Sequence, residues 1–190
     1  MGAKAYTHIL TAVASTDRSF MHISNIPQTY KTIMGTVNAT SMIGSNDGMD
    51  KFNLIVNPAS PSSTSYDNSR GWSKGFYIAG TSSKWNNPNV YDSWDSAIGK
   101  IGASSYFTYF DDQVNTVVFY CYDYADVNTV TSVAYQGGSP YFGDAVAASG
   151  RPLVSIGCSG EKDVGAMTSM NVGPGGQMMS GTVTTLYGIN

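Results

Sequence analysis

The chain has 190 residues, of which 42% are apolar and only 12% charged, with a formal net charge of −3; a typical soluble domain carries about 25% charged residues. High hydrophobicity at low net charge excludes disorder. The lack of a basic excess argues against nucleic-acid binding through phosphates, and no run of about 18 apolar residues is present to cross a membrane as a helix.

One glutamate, Glu161, stands in the whole chain. Gly, Ser, Thr, Asn, Val and Tyr favour strands and turns over helices. A surface helix needs Glu, Lys and Arg on its wet face, and the supply covers one short helix at most. The composition therefore predicts an all-β chain.

In chain order, strands are predicted over Ala5–Ala14, Phe20–Ile23 and Tyr30–Val37, with Pro27 marking a strand edge or turn because it lacks an N–H. Asn46-Asp47-Gly48 is a turn signal, since Asp-Gly tolerates positive φ. Extended chain resumes over Phe52–Val56, and a Pro/Ser loop follows over residues 57–66. Gly71–Gly80 reads as an aromatic strand. Residues 81–103 show no clear period and read as a long aromatic-rich surface loop or insertion, with one short helical turn near Trp94. Strands return at Ser104–Phe110, Thr116–Tyr124, Val130–Tyr135, Pro152–Cys158, Met167–Val172 and Thr182–Tyr187, with Gly173-Pro174-Gly175-Gly176 as a tight turn before the last. In the last strand Val183, Thr185, Tyr187 and Ile189 share one face. About ten short strands separated by regular turn signals predict a sandwich or barrel. Neither a repeat nor a shift in composition divides residues 1–190, so one domain is expected.

Chemistry-bearing patterns are sparse. No Gly-x-Ser-x-Gly elbow is present. His8 and His22 lack a third ligand at zinc spacing and read as structural side chains. Asp92 and Asp95, Asp111 and Asp112, and Asp123 and Asp126 form close pairs. They read as turn aspartates bonding their own backbone, ahead of calcium ligands or a glycosidase acid pair. Asn46–Asp50 has some features of a calcium loop but lacks the closing glutamate. Cys121 and Cys158 read as buried small hydrophobes, with a cross-strand disulfide as the alternative. No catalytic residue, metal site or cofactor is expected. Trp72, Phe76, Tyr77, Trp85, Tyr91 and Trp94 form the one suggestive cluster. Aromatic rings anchor interfaces and stack on sugars, so the cluster reads as core, as a subunit or partner interface, or as a glycan contact.

Several segments, taken in order, resemble a family of tailed-phage virion proteins. Tyr6-Thr7-His8-Ile9-Leu10, then Phe20-Met21-His22-Ile23-Ser24-Asn25-Ile26-Pro27-Gln28-Thr29-Tyr30-Lys31, resemble that family's opening, a short strand and the segment after it. Asp50–Asn57 and Tyr66 fill its next slot, with Asn57-Pro58 where the family has Asn-Gly. Val118–Ala125 resembles a later strand, with Tyr122 in place of a proline. Ala166–Val172 and Gly181–Ile189 resemble its end. The resemblance implies a jelly-roll β-sandwich of the kind found in capsid decoration and tail-fibre proteins, and it carries over no catalytic residue.

Among such roles, a chain whose first strand starts near Met1, with no heptads and no apolar signal stretch, is expected to be a capsid decoration protein made in the host cytoplasm and carried on the virion. Its expected partners are the major capsid protein and itself, as a trimer at local three-fold positions. The alternative is a tail-fibre or adhesin module recognising a host glycan. A depolymerase comes third.

Overall fold

The alternation in the closing strand survives folding: side chains from Val183 to Ile189 are in turn half-buried and fully buried. This is the pattern of a sheet with one face on a core. The computed structural model describes residues 5–18, 20–40, 42–43, 49–58, 72–79, 89–93, 100–105, 114–142, 151–160, 165–174 and 177–190. Among them there is no helix. The strands are β1 (Thr7–Val13), β2 (Met21–Ile23), β3 (Thr32–Thr40), β4 (Met42–Ile43), β5 (Met49–Val56), β6 (Trp72–Ala79), β7 (Asn89–Ser93), β8 (Lys100–Ser105), β9 (Val114–Tyr122), β10 (Ser132–Phe142), β11 (Arg151–Gly160), β12 (Met170–Pro174), β13 (Gln177–Met178) and β14 (Val183–Ile189).

They form an eight-stranded sheet in the order β1-β14-β3-β9-β10-β11-β6-β7, a four-stranded sheet in the order β2-β12-β5-β8, and a small β13-β4 ladder. All pairings are antiparallel. Setting aside β4, β13 and the strands β6, β7, β10 and β11 leaves eight strands. Renumbered in chain order, these lie as 1-8-3-6 in one sheet and 2-7-4-5 in the other. That order is the double Greek key of a jelly roll. The chain is thus an antiparallel jelly-roll β-sandwich whose large sheet is extended by two hairpin pairs, β6–β7 and β10–β11. Strand β8 of the small sheet packs across β10 and β11.

The core lies between the sheets. From the large sheet come Ile33, Val37, Val117, Phe119, Cys121, Val133, Tyr135 and Leu186; from the small sheet come Ile23, Leu54, Val56, Met170 and Val172. Each fully buried aliphatic or aromatic side chain contributes roughly 1.5–3 kcal/mol relative to exposure. Gly35 faces Phe119 across the β3–β9 ladder. A Cβ at position 35 would fall inside the Phe119 ring, so only glycine lets that ring lie flat across its neighbour strand.

One end of the sandwich is knitted by side-chain bonds to backbone. Tyr124, fully buried, donates its hydroxyl to the Pro27 carbonyl. Gln28 donates to the carbonyls of Ile26 (2.8 Å) and Met167 (3.0 Å). Asn57 adopts a left-handed φ of 44°. Its Oδ1 accepts from the N–H groups of Thr168 (2.8 Å) and Ser169 (3.2 Å), and its Nδ2 donates to the Ala166 carbonyl (2.9 Å). Asn tolerates this conformation better than most residues, so Asn57 both turns the chain after β5 and ties down the approach to β12.

Several expectations are corrected. The stretch read as a loop over 81–103 contains β7 and most of β8. Their strand character comes from pairing with β6 and β5, through backbone bonds that need no alternating side chains. The helical turn proposed near Trp94 lies outside the described residues. Asp92, read as a turn aspartate, lies in β7 opposite Lys74, a cross-strand opposite-charge position. Residues 167–169 precede β12 instead of belonging to it, and Gly173 and Pro174 continue that strand instead of turning it. Pro140 and Pro152 both fall in the irregular stretch of the β10–β11 ladder between Ser139 and Phe142, where a missing N–H costs no ladder bond.

Candidate functional site: the outward face of the large sheet

Strands β1, β14, β3, β9, β10 and β11 turn one set of side chains to the core and the other outward. Along β9, Val117, Phe119 and Cys121 are buried while Thr116, Val118, Tyr120 and Tyr122 point the other way. On β10 the outward set is Ser132, Ala134, Gln136 and Gly138, and on β3 it is Thr32, Met34, Thr36 and Asn38. No Asp, Glu, Lys or Arg occupies a described outward position on these six strands. Described charged residues such as Asp17, Arg18, Lys31, Asp123 and Asp126 sit in the connections instead.

The aromatic groups of this face gather near the start of β1. The register aligns His8, Tyr187, Met34 and Tyr120 in one row across β1, β14, β3 and β9. Tyr187 meets Tyr6 edge-on at 6.5 Å between ring centroids, and His8 meets Tyr187 edge-on at 5.8 Å. Tyr120 and Tyr122 lie nearly parallel, 6.3 Å apart and 16° between planes. Tyr6 and Tyr122 are exposed. Partial burial, with Tyr6 and Tyr122 alongside, pushes the Tyr120 phenol above its ordinary pKa. The hydroxyl therefore stays protonated, a donor as well as an acceptor, throughout the neutral range.

The next row is polar but uncharged: Thr11, Thr185 and Thr36 align across three strands. His8 Nε2 lies 3.0 Å from Thr11 Oγ1, and Thr11 Oγ1 lies 3.3 Å from Thr185 Oγ1. His8 and Thr11 are an odd number of residues apart, so a regular strand would put them on opposite faces. The irregularity between His8 and Leu10 changes the parity and brings them together. Exposed Ile156 and Val13 extend the face away from the tyrosines.

The predicted cluster is only partly placed. Trp72, Phe76 and Tyr77 lie on β6, and Tyr91 lies on β7 opposite Gly75. Phe76 stands opposite Val90 on one side and Ile156 on the other. Trp85 and Trp94 lie outside the described residues. Four of the six thus belong to the extension of the same large sheet. The residues missed in sequence are Tyr6, His8, Tyr120, Tyr122 and Tyr187. Both parities of β9 are apolar, so alternation could not separate its faces, and β1 meets β14 only through pairing of distant segments.

Neither cysteine forms a disulfide. Cys121 is buried as expected, but Cys158 is exposed, a correction. Cys158 pairs with Ala134, and Cys121 pairs with the adjacent Val133. One step along the strand reverses the face, so the two thiols lie on opposite sides of the sheet and no cross-strand disulfide joins them. His22 Nδ1 donates to Asn171 Oδ1 at 2.8 Å, a satisfied structural histidine. In the Asp123–Asn128 turn, the Asp126 carboxylate accepts from the Asn128 N–H at 2.8 Å, which is the backbone-bonding role read from sequence. Asp95, Asp111 and Asp112 lie outside the described residues. No group of three or more His, Cys, Asp or Glu able to hold a metal ion occurs among the described residues.

No protein-family model matches the chain, and no curated protein matches it. Among solved structures, the carbohydrate recognition domain of Emp47p aligns with 98% of this chain and 87% of that chain, at 8% identity and a TM-score of 0.18. A likeness this slight carries no weight for fold or function.

Proposed function

We propose that this chain is a non-enzymatic structural protein of a tailed-phage virion, a capsid decoration protein that coats the outer head as a symmetric homo-oligomer alongside the major capsid protein. The observation that carries the reading is the outward face of β1, β14, β3, β9, β10 and β11, whose described positions carry no charged side chain and include Tyr120, Tyr122 and Tyr187. Charged residues are depleted, and aromatics enriched, at the centres of protein interfaces. A surface of this kind is suited to being covered. The jelly roll agrees with the expectation drawn from the sequence resemblance, though a fold alone hosts many functions.

The test is to add the purified protein to heads that lack it and to image the particles by cryo-electron microscopy. Regularly spaced density on the head is the expected result. Heads that stay bare at saturating protein would overturn the reading. A second reading, a tail-fibre or adhesin module that binds a host glycan, is favoured by one observation. The near-parallel rings of Tyr120 and Tyr122 form a platform on which sugar faces can stack. A glycan array separates the two, because only the second reading gives a signal.

A further inference from the structure

We infer that the outward face of the large sheet is covered by the same face of a second copy of this chain. The inference deepens the proposal above by naming the occupant. It rests on that proposal only in treating the face as an interface, and it does not need a virion.

Three observations select the second copy. The first is area. The described outward positions, four each on β14, β3, β9 and β10, three on β1 and two on β11, at about 4.8 Å by 6.8 Å apiece, span roughly 700 Å². A standard specific interface buries about 800 Å² per partner. The face is therefore large enough for a stable pair and much larger than a short glycan would cover. The second is charge. On these six strands no described outward position carries Asp, Glu, Lys or Arg, and the register of the neighbouring β6 and β7 adds only Lys74 opposite Asp92, one charge of each sign, so the face can meet itself without a block of like charge. A partner of strong opposite charge has nothing on it to recognise. The third is distribution. Aliphatic side chains such as Val118 and Ile156 continue the face well beyond the tyrosines. A sugar platform has no use for them, whereas a second sheet packed about 10 Å away does.

One patch packed on itself is isologous, so the pair is related by a two-fold axis. Tyr120, Tyr122 and Tyr187 then meet the partner copy. Cys158, exposed in the single chain and outward on β11, is covered in the pair.

The test is sedimentation and light scattering of the purified full chain, combined with thiol labelling. The wild type should run at twice the 20.2 kDa chain mass. Its Cys158 should react with a maleimide at least about tenfold more slowly than in a monomeric variant. Gln136→Lys places a charge at an already exposed position in the middle of the face. It should raise the dimer dissociation constant at least about tenfold, free Cys158 to react, and leave the circular dichroism spectrum unchanged. Met34→Lys, in the neighbouring tyrosine row, should do the same and serves as the second variant if the first misfolds. A strictly monomeric wild type, a trimer, or a dimer that both charges leave intact would overturn the inference, as would a monomer whose face is occupied by a glycan from an array. A dimer that fails to bind heads would sink the virion proposal and leave this inference standing. A monomer that binds heads would do the reverse.

Discussion

The two faces of the large sheet are built from similar residues and differ in what explains them. Inward, Val117, Phe119 and Cys121 are apolar because they fill the space between the sheets. Outward, Val118, Tyr120 and Tyr122 on the same strand are no more charged, yet nothing in the monomer buries them fully. Packing within the chain accounts for the first set. The inferred second copy would account for the second, so the outward face is where function should be sought.

Substitution can break this comparison. Phe119→Ala removes a fully buried ring and is expected to cost about 3–5 kcal/mol, read as a lower denaturation midpoint. Tyr120→Ala, one residue along, should change monomer stability by less than about 1 kcal/mol while weakening self-association. Equal losses at the two sites would mean that the outward face is core after all.

Gly35→Ala sharpens the inner side. The added methyl collides with the Phe119 ring, and such overpacking costs typically about 1–3 kcal/mol. The double variant with Phe119→Leu should recover part of that loss in a double-mutant cycle. Complete additivity would show that the ring is not what excludes a side chain at position 35.

A smaller effect is expected at the knitted end. Tyr124→Phe removes the hydroxyl that donates to the half-buried Pro27 carbonyl and should cost about 0.5–1.5 kcal/mol. The same variant reads a pH dependence. Burial, with Tyr30 and Cys121 alongside, pushes the Tyr124 phenol above its ordinary value. The folded chain therefore holds this proton more tightly than the unfolded one, in which Tyr ionises near pH 10. The stability it contributes is fully present below about pH 10 and is lost as pH rises above it. Urea midpoints measured from pH 8 to 11 should fall for the wild type above pH 10, and fall less for Tyr124→Phe. An identical decline in both would assign the effect to other groups.

Much of the strand layout was legible because it rests on local signals. Scarce helix formers limited helix to one short piece at most, and turn residues separated β9 from β10 at Asp126-Val127-Asn128. The last strand alternates because one of its faces is buried. Strand β7 was not legible, since its order comes from pairing with β6 and its own sequence has no period. The aromatic residues of 72–94 were visible as a local cluster, whereas Tyr6, Tyr120 and Tyr187 are far apart in the chain and come together only through the β1-β14-β3-β9 order.

The sequence by itself determined the all-β class, the positions of most strands and the scarcity of charge, because composition and local periodicity act residue by residue. The tertiary structure alone decided that this scarcity leaves the described outward positions of six neighbouring strands uncharged. It also decided that an irregularity in β1 sets His8 beside Thr11, and that Cys121 and Cys158 lie on opposite sides of the sheet. Those outcomes depend on register, and register is settled by pairing between distant segments, where a single step moves a side chain from the core to the outside.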